Sequence, residues 1–131
     1  MLIPVKRSIA VMIFQGDKVL SVRRPDDDDE LPGIWGLPAG TLRPSETIED
    51  LITRIGADKL GVKLIPLRKI TSGRQMRPLY LLEMELWEAS MTGTPSHEKN
   101  WTWAKIDSLR PGAAAGSLCC HLAINSKNRV S

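Results

Sequence analysis

The apolar and β-branched positions near the N-terminus fall into two runs that a short polar turn separates. Residues 8–14 and residues 19–23 flank the tetrapeptide Gln15-Gly16-Asp17-Lys18. Two such runs on either side of a glycine-containing loop are typical of a β-hairpin. The chain is therefore predicted to open with two strands.

A helical period replaces this pattern between residues 47 and 60. Four aliphatic residues recur at i, i+3, i+4 and i+7, the spacing of one buried helix face: Ile48, Leu51, Ile52 and Ile55. Thr47 and Asp50 form a capping box, and Gly61 stands where a left-handed residue closes a helix. The sequence predicts a helix over residues 47–60, with Gly56 reflecting either close packing or relaxed selection.

The remaining segments predict further strands and one more helix. Strands are expected at three apolar segments, 63–70, 79–87 and 101–106, and a C-terminal helix at 113–124. Ser72-Gly73-Arg74 is predicted to turn the chain between two of these strands, and the acid-rich residues 25–36 to form a solvated, flexible loop. Strands with one inserted helix and one terminal helix indicate an α+β fold with a mixed β-sheet covered by helices.

Composition narrows the class of protein without naming a function. The length of 131 residues fits one domain, residues 1–131, and the net charge of +3 only mildly favours anionic ligands such as phosphates. The charge is too small to indicate nucleic-acid binding. No apolar segment is long enough to span a membrane, and the apolar run near the N-terminus is too short for a signal peptide. Cys119 and Cys120 are adjacent, which matches neither a disulfide framework nor a zinc knuckle and favours a reducing cytoplasm.

The most informative motif is the spacing of Gly40, Glu46, Arg54, Gly61 and Val62, with five residues between the first two and seven between the next two. This spacing resembles the Nudix box, G-x5-E-x7-R-E-U-x-E-E-x-G-U, in which U is aliphatic. Residues 33–40, Gly-Ile-Trp-Gly-Leu-Pro-Ala-Gly, resemble the Trp-x-Leu-Pro-Gly-Gly entry to that box. The resemblance covers most of the chain.

The resemblance implies an α/β/α sandwich with the box helix packed on a mixed sheet. It also implies hydrolysis of a nucleoside diphosphate linked to another moiety, in which box glutamates hold Mg²⁺ or Mn²⁺ and water attacks phosphorus. The chain departs from the pattern after the arginine, because Ile55, Gly56, Asp58 and Lys59 stand where the family has Glu, an aliphatic residue, Glu and Glu. One expected metal-binding carboxylate of three survives.

The resemblance also assigns expected roles to individual residues. Glu46 and Arg54 are expected to orient the catalytic site, although Arg54 fits a surface charge ladder with Asp50 and Asp58 equally well. The expected metal ligands are the carboxylates of Asp58 and Glu98 and the carbonyls of Ala39 and Gly40. Glu98 also fits the role of catalytic base, and a solvated loop glutamate is an equal alternative for it. Four residues are expected to contact substrate: Arg23, Gly40, Lys59 and Arg74. Arg43 and Arg77 are further candidates for phosphate contacts, with Arg23 preferred by its family position.

Two functions remain open on the sequence. The first is a slow metal-dependent hydrolase acting on a nucleotide or sugar-nucleotide, and the second is a module that binds such a ligand without hydrolysing it. Trp35, Trp87 and Trp101 are candidates for stacking on a base, with core packing the preferred role for Trp35. A homodimer is compatible with the family, and neither a nucleic-acid partner nor a membrane is expected.

Overall fold

The computed structural model describes the backbone of residues 2–130 and the side chains of residues 2–126. The strands are β1 (Val5–Met12), β2 (Phe14–Gln15), β3 (Lys18–Arg23), β4 (Trp35–Gly36), β5 (Ala39–Thr41), β6 (Lys63–Met76), β7 (Leu81–Thr92) and β8 (Trp101–Lys105). The helices are α1 (Ile48–Ile55), α2 (Arg110–Ala114) and α3 (Leu118–Val130). A π-helical turn, Gly56–Leu60, continues α1, and a 3₁₀ turn, Ile106–Leu109, precedes α2.

The strands form two four-stranded sheets. In the first sheet the order is β5-β1-β7-β6, with β1 parallel to β7 and the other neighbours antiparallel. In the second sheet β3 pairs with β2, β4 and β8. The predicted mixed sheet and α+β class are confirmed.

Strand β1 is buried on both faces, which explains its unbroken apolar run. Ala10 and Met12 belong to a core beneath α3, whereas Ile9 and Val11 belong to a second core beneath α1. Successive side chains of a strand point to opposite faces, so one strand supplies both cores. The first sheet therefore lies between α1 and α3, and the expected α/β/α sandwich is confirmed.

The box helix forms as predicted. The Thr47 hydroxyl accepts the Asp50 N–H at 3.0 Å, the Asp50 carboxylate accepts the Thr47 N–H at 3.3 Å, and Gly61 closes the helical segment at φ 71°. A Cβ on Gly56 would lie 2.7 Å from Leu64 Cγ and 2.8 Å from the Val62 carbonyl oxygen. Close packing of the helix against the start of β6 therefore accounts for this glycine.

Three predictions about local structure are wrong. Ser72-Gly73-Arg74 does not turn, because β6 continues to Met76 and the chain reverses between Arg77 and Tyr80. A Cβ on Gly73 would lie 2.8 Å from Leu122 Cδ2, so this glycine marks a close approach of α3 to the strand. The C-terminal helix is broken in two at Gly116, where φ is 103°.

Trp35 is the third correction, because 37% of its surface is exposed on β4 rather than packed in the core. Trp87 and Trp101 are partly buried against the core beneath α1, and the Trp101 and Trp103 rings meet edge to face at 6.5 Å.

Both cysteines are free and buried. None of the helices in the described part of the chain has the length and apolar character needed to cross a membrane.

Candidate functional site

An ion pair between Glu46 and Arg54 joins the loop before α1 to the last turn of the helix. Arg54 Nε donates to Glu46 Oε2 at 2.9 Å, and Arg54 Nη2 donates to Glu46 Oε1 at 2.8 Å. Arg54 Nη2 also donates to the Thr41 carbonyl at 2.8 Å, which ties the helix to β5. The pairing implied by the resemblance is present, and the guanidinium is directed to Glu46 rather than into a ladder with Asp50.

The electrostatics of this pair favour its charged form. The pKa of Glu46 is lowered from 4.5 to about 2, chiefly by its hydrogen bonds from Arg54 and then by the Arg43 N–H. The pKa of Arg54 is raised above its usual value, first by its hydrogen bonds to Glu46. Glu46 is therefore a fixed anion whose lone pairs are already used by protein donors, not a free carboxylate.

Replacement of Glu46 by glutamine is expected to remove a pH-dependent contribution to stability. A carboxylate with a depressed folded pKa stabilises the fold above its unfolded pKa, and this contribution is lost as pH falls from about 4.5 to about 2. In urea unfolding between pH 2 and pH 7, Glu46→Gln should be less stable than wild type at pH 7, with the difference shrinking towards pH 2. Glu49→Gln, in the first turn of α1, is the control, and a Glu46→Gln deficit independent of pH would contradict the assignment.

A cleft of about 430 Å³ opens beside this ion pair, between the box segment, the first sheet and the start of α3. Its charged lining consists of five basic and two acidic side chains: Lys6, Arg24, Arg54, Lys59, Arg77, Glu30 and Asp58. Like charges that share a low-dielectric concave surface raise its potential, so an excess of cations favours an anionic ligand. The chain's modest positive charge is thus concentrated where a ligand can bind.

The cleft brings together the expected residues of the box. Gly40 and Arg54 line it, as do Ala39, Asp58 and Lys59. Asp58 and Lys59 lie on the π-helical turn and are both exposed, so this irregular turn presents an acid and a base side by side to the cleft. Helical insertions of this kind occur frequently at functional sites.

Three other expected residues lie outside this lining. Arg23 pairs with Asp26 at 2.5 Å, and Arg74 lines a separate groove of about 290 Å³ beside the N-terminal end of α1. Glu98 is exposed in the loop before β8, where its N–H donates to Ser96 Oγ at 3.3 Å. Arg24 occupies the cleft position that the sequence suggested for its neighbour Arg23.

The acid-rich loop is more ordered than its charge suggested. Asp28 accepts the N–H groups of Leu31 at 2.8 Å and Glu30 at 3.2 Å, and it lies 3.6 Å from Arg24. The pKa of Asp28 is lowered, first by the Leu31 hydrogen bond. Backbone donors and arginines thus offset the expected self-repulsion, and the loop forms a wall of the cleft through Glu30 and Leu31.

Ile55 occupies the position of a lost glutamate and is 1% exposed. A Cβ on Gly40 would lie 3.1 Å from both Ile55 Cγ1 and Leu51 Cδ1. Ile55 therefore packs directly against Gly40 of β5 and belongs to the core beneath α1. This packing confirms that Ile55 contributes to the apolar stripe of the helix.

The backbone carbonyls expected to bind metal differ in direction. The Val11 N–H donates to the Pro38 carbonyl at 2.9 Å, and the Leu42 N–H donates to the Arg7 carbonyl at 2.7 Å. In an antiparallel pair of strands, hydrogen-bonded residue pairs alternate with pairs that are not hydrogen-bonded, so Gly40 and Ile9 form the hydrogen-bonded pair between these two. The register turns the Gly40 carbonyl towards β1 and the carbonyls of Ala39 and Thr41 towards the outer edge of β5. The contact from Arg54 to Thr41 agrees with this geometry.

These donors do not fit a preformed divalent-metal site. Within the described residues, no three His, Cys, Asp or Glu side chains are grouped as metal ligands. Glu46 is held by Arg54, and Asp58 has Lys59 beside it in the sequence. A hard divalent ion needs about six oxygen ligands, of which the cleft offers the Ala39 carbonyl and one box carboxylate, that of Asp58, whose charge already acts on Arg54.

The chain belongs to the Nudix family, because the family model described as "NUDIX domain" matches residues 4–118. This is a family of hydrolases of nucleoside diphosphates linked to other groups, and its enzymes generally use divalent metals such as Mg²⁺.

Individual relatives agree with this assignment. The chain is 40% identical over 67 residues to nucleoside triphosphatase NudI of Escherichia fergusonii, covering 50% of this chain and 47% of the relative. It is 26% identical over 118 residues to the NAD-capped RNA hydrolase NudC of Pseudomonas aeruginosa, covering 88% of this chain and 41% of that protein. The chain thus spans less than half the length of these curated relatives.

Solved structures share the fold. The crystal structure of the MutT protein from Methanosarcina mazei superposes with a TM-score of 0.81 over 98% of this chain and 97% of that chain, at 13% identity. The solution structure of the Escherichia coli ORF135 protein gives a TM-score of 0.75 over 98% and 96%, at 19% identity.

Proposed function

We propose that the cleft binds the diphosphate of a nucleoside diphosphate linked to another group, and that the chain is at most a slow hydrolase of this ligand. The observation that carries the proposal is the excess of basic side chains in a cleft built around an intact Glu46–Arg54 pair. In this proposal, side-chain cations neutralise the phosphate oxygens.

Lys59 is central to this binding mode. It stands where the family pattern has a glutamate, it is exposed, and it makes no salt bridge with the described side chains. An ammonium is a compact charge with three donors and is a common partner of phosphate oxygens. Arg24, which lines the same cleft and lies 3.6 Å from Asp28, adds a planar guanidinium that can bind phosphate in a bidentate way.

The two candidate functions differ in what happens after binding. Slow hydrolysis is supported by family membership and by Asp58, which keeps one box carboxylate in the cleft. Binding without hydrolysis is supported by the buried Ile55 and by the lack of a grouped set of metal ligands among the described residues. Loss of metal ligands impairs catalysis more than ground-state binding.

One experiment separates these functions. The chain is titrated by calorimetry with ADP-ribose, dinucleotides, sugar nucleotides and nucleoside triphosphates in EDTA, and the same panel is then assayed for products with Mg²⁺ or Mn²⁺. We expect binding in EDTA. Metal-dependent turnover that Asp58→Ala abolishes would establish the slow hydrolase. Binding without the formation of products would establish the binding module. No binding to any panel member would overturn the proposal.

A further inference from the structure

A second polar group, made of two cations and a phenol, lies where the first sheet lines the cleft. Lys6, Arg77 and Tyr80 form this group, which we call the basic end. Lys6 is on β1, whereas Arg77 and Tyr80 flank the turn between β6 and β7, where the Arg77 N–H donates to the Tyr80 carbonyl at 2.8 Å. Two distant chain segments therefore converge on one polar surface.

The basic end has donors that the protein leaves unused. The Arg77 side chain is only 15% exposed, and its Nε is buried without a hydrogen-bond partner. Its nearest carboxylate is Glu30, at 3.6 Å from Nη1, which is longer than a hydrogen bond. The protein therefore satisfies this guanidinium only in part, and the exposed portion of the side chain lines the cleft, where it can meet an anionic ligand.

The other two members of the basic end add to its affinity for an anion. Lys6 Nζ lies 4.4 Å above the Tyr80 ring and makes no salt bridge with the described side chains. The Tyr80 hydroxyl donates to Glu30 Oε1 at 2.8 Å, so the single carboxylate here is shared between a phenol and a guanidinium. Two cations facing one carboxylate leave an excess positive charge.

The position of the basic end separates it from the box. Ser8 pairs with Thr41, whose carbonyl binds Arg54, and Lys6 lies two residues before Ser8 on the same face of β1. Two residues of a strand span roughly 7 Å. The Lys6 backbone is therefore about one such step along β1 from the strand position beside the box pair, and a ligand that contacts both groups extends along this strand.

We propose that the basic end binds a second anionic group, a phosphate monoester or a carboxylate, on the ligand whose diphosphate lies at the box. This inference rests on the proposed function and specifies its ligand class: nucleoside diphosphate compounds that carry a further anion away from the diphosphate. Arg77 and Lys6 then determine specificity by selecting for that anion.

Matched ligand pairs test the proposal. Calorimetry in EDTA compares NADP with NAD for the phosphate, and UDP-glucuronate with UDP-glucose for the carboxylate. Wild type should bind the more anionic member of at least one pair about tenfold tighter or more, in line with the loss of a charge-assisted contact. The pair that shows the preference identifies the anion.

Variants locate the preference. Arg77→Gln and Lys6→Gln should each reduce the affinity ratio towards one, whereas Lys18→Gln, an exposed lysine on β3 outside the cleft, should keep it. Arg77 is mostly buried, so its substitution can also destabilise the fold. Lys6 is exposed, and its substitution tests the preference without this complication. A wild-type ratio of one for both pairs, or a ratio unchanged in Lys6→Gln, would overturn this inference alone. Failure of all four ligands to bind while ADP-ribose or a nucleoside triphosphate binds would also overturn this inference and leave the proposed function standing, whereas failure of the whole panel would overturn both.

Discussion

Ile55→Glu, which restores the glutamate of the family pattern, is expected to destabilise the fold instead of creating a metal site. Ile55 is 1% exposed and packs beneath Gly40 in the core that joins α1 to the first sheet. An uncompensated buried charge typically costs about 3–5 kcal/mol, a large part of the roughly 5–15 kcal/mol that stabilises a domain. The free energy of unfolding in urea at pH 7 should fall by about this amount.

The pH dependence identifies the cause of this loss. Burial raises the folded pKa of the introduced carboxyl above its unfolded value, so the folded state binds more protons in that window and stability falls as pH rises. The deficit of Ile55→Glu should therefore be smaller at pH 4 than at pH 7. Ile55→Gln, of similar size and without charge, should show a deficit independent of pH. Wild-type stability of Ile55→Glu at pH 7 would mean that position 55 reaches water.

Lys59→Glu is expected to convert metal-independent binding into metal-dependent binding. Lys59 is exposed, so the substitution should leave stability almost unchanged, but it alters the charge of the cleft by two units and adds a carboxylate beside Asp58. In EDTA we expect the affinity for ADP-ribose, or for the tightest ligand of the panel, to fall about tenfold or more, the loss of roughly one charge-assisted contact. Mg²⁺ should restore much of it, because the variant offers two neighbouring carboxylates, which together with substrate phosphates and water can hold this ion.

The control for this variant is Lys63→Glu, which makes the same charge change on an exposed residue at the start of β6, outside the cleft. It should retain wild-type affinity in EDTA. Equal losses in both variants would attribute the effect to the net charge of the chain rather than to Lys59. Unchanged affinity of Lys59→Glu in EDTA would remove this lysine from the binding site.

Local sequence signals were sufficient for much of the fold. The capping box at Thr47 and Asp50, the spacing of the helix stripe and the left-handed Gly61 each act within a few residues, so the box helix could be predicted from its own segment. Gly73 could not, because glycine marks both turns and close approaches. Only the position of Leu122, far along the chain, distinguishes the two.

The candidate site was predictable only in part, for the same reason. The box residues from Ala39 to Lys59 reach one cleft because the helix and its preceding loop are local structures. Arg24 was missed in favour of Arg23, since neighbouring strand residues point to opposite sides and the sequence alone did not fix which side faces the cleft. Lys6, Arg77 and Tyr80 carry no motif.

The sequence by itself determined the family, the α+β class and the replacement of the box glutamates at positions 55 and 59, and it left the pairing of Glu46 with Arg54 open beside a surface charge ladder. The tertiary structure decided that position 55 is core, that Arg24 rather than Arg23 lines the cleft, and that Lys6 and Arg77 form its other end. The first set depends on residue identity and short spacings. The second depends on strand pairing and helix packing between distant segments, which bring unrelated parts of the chain to one surface.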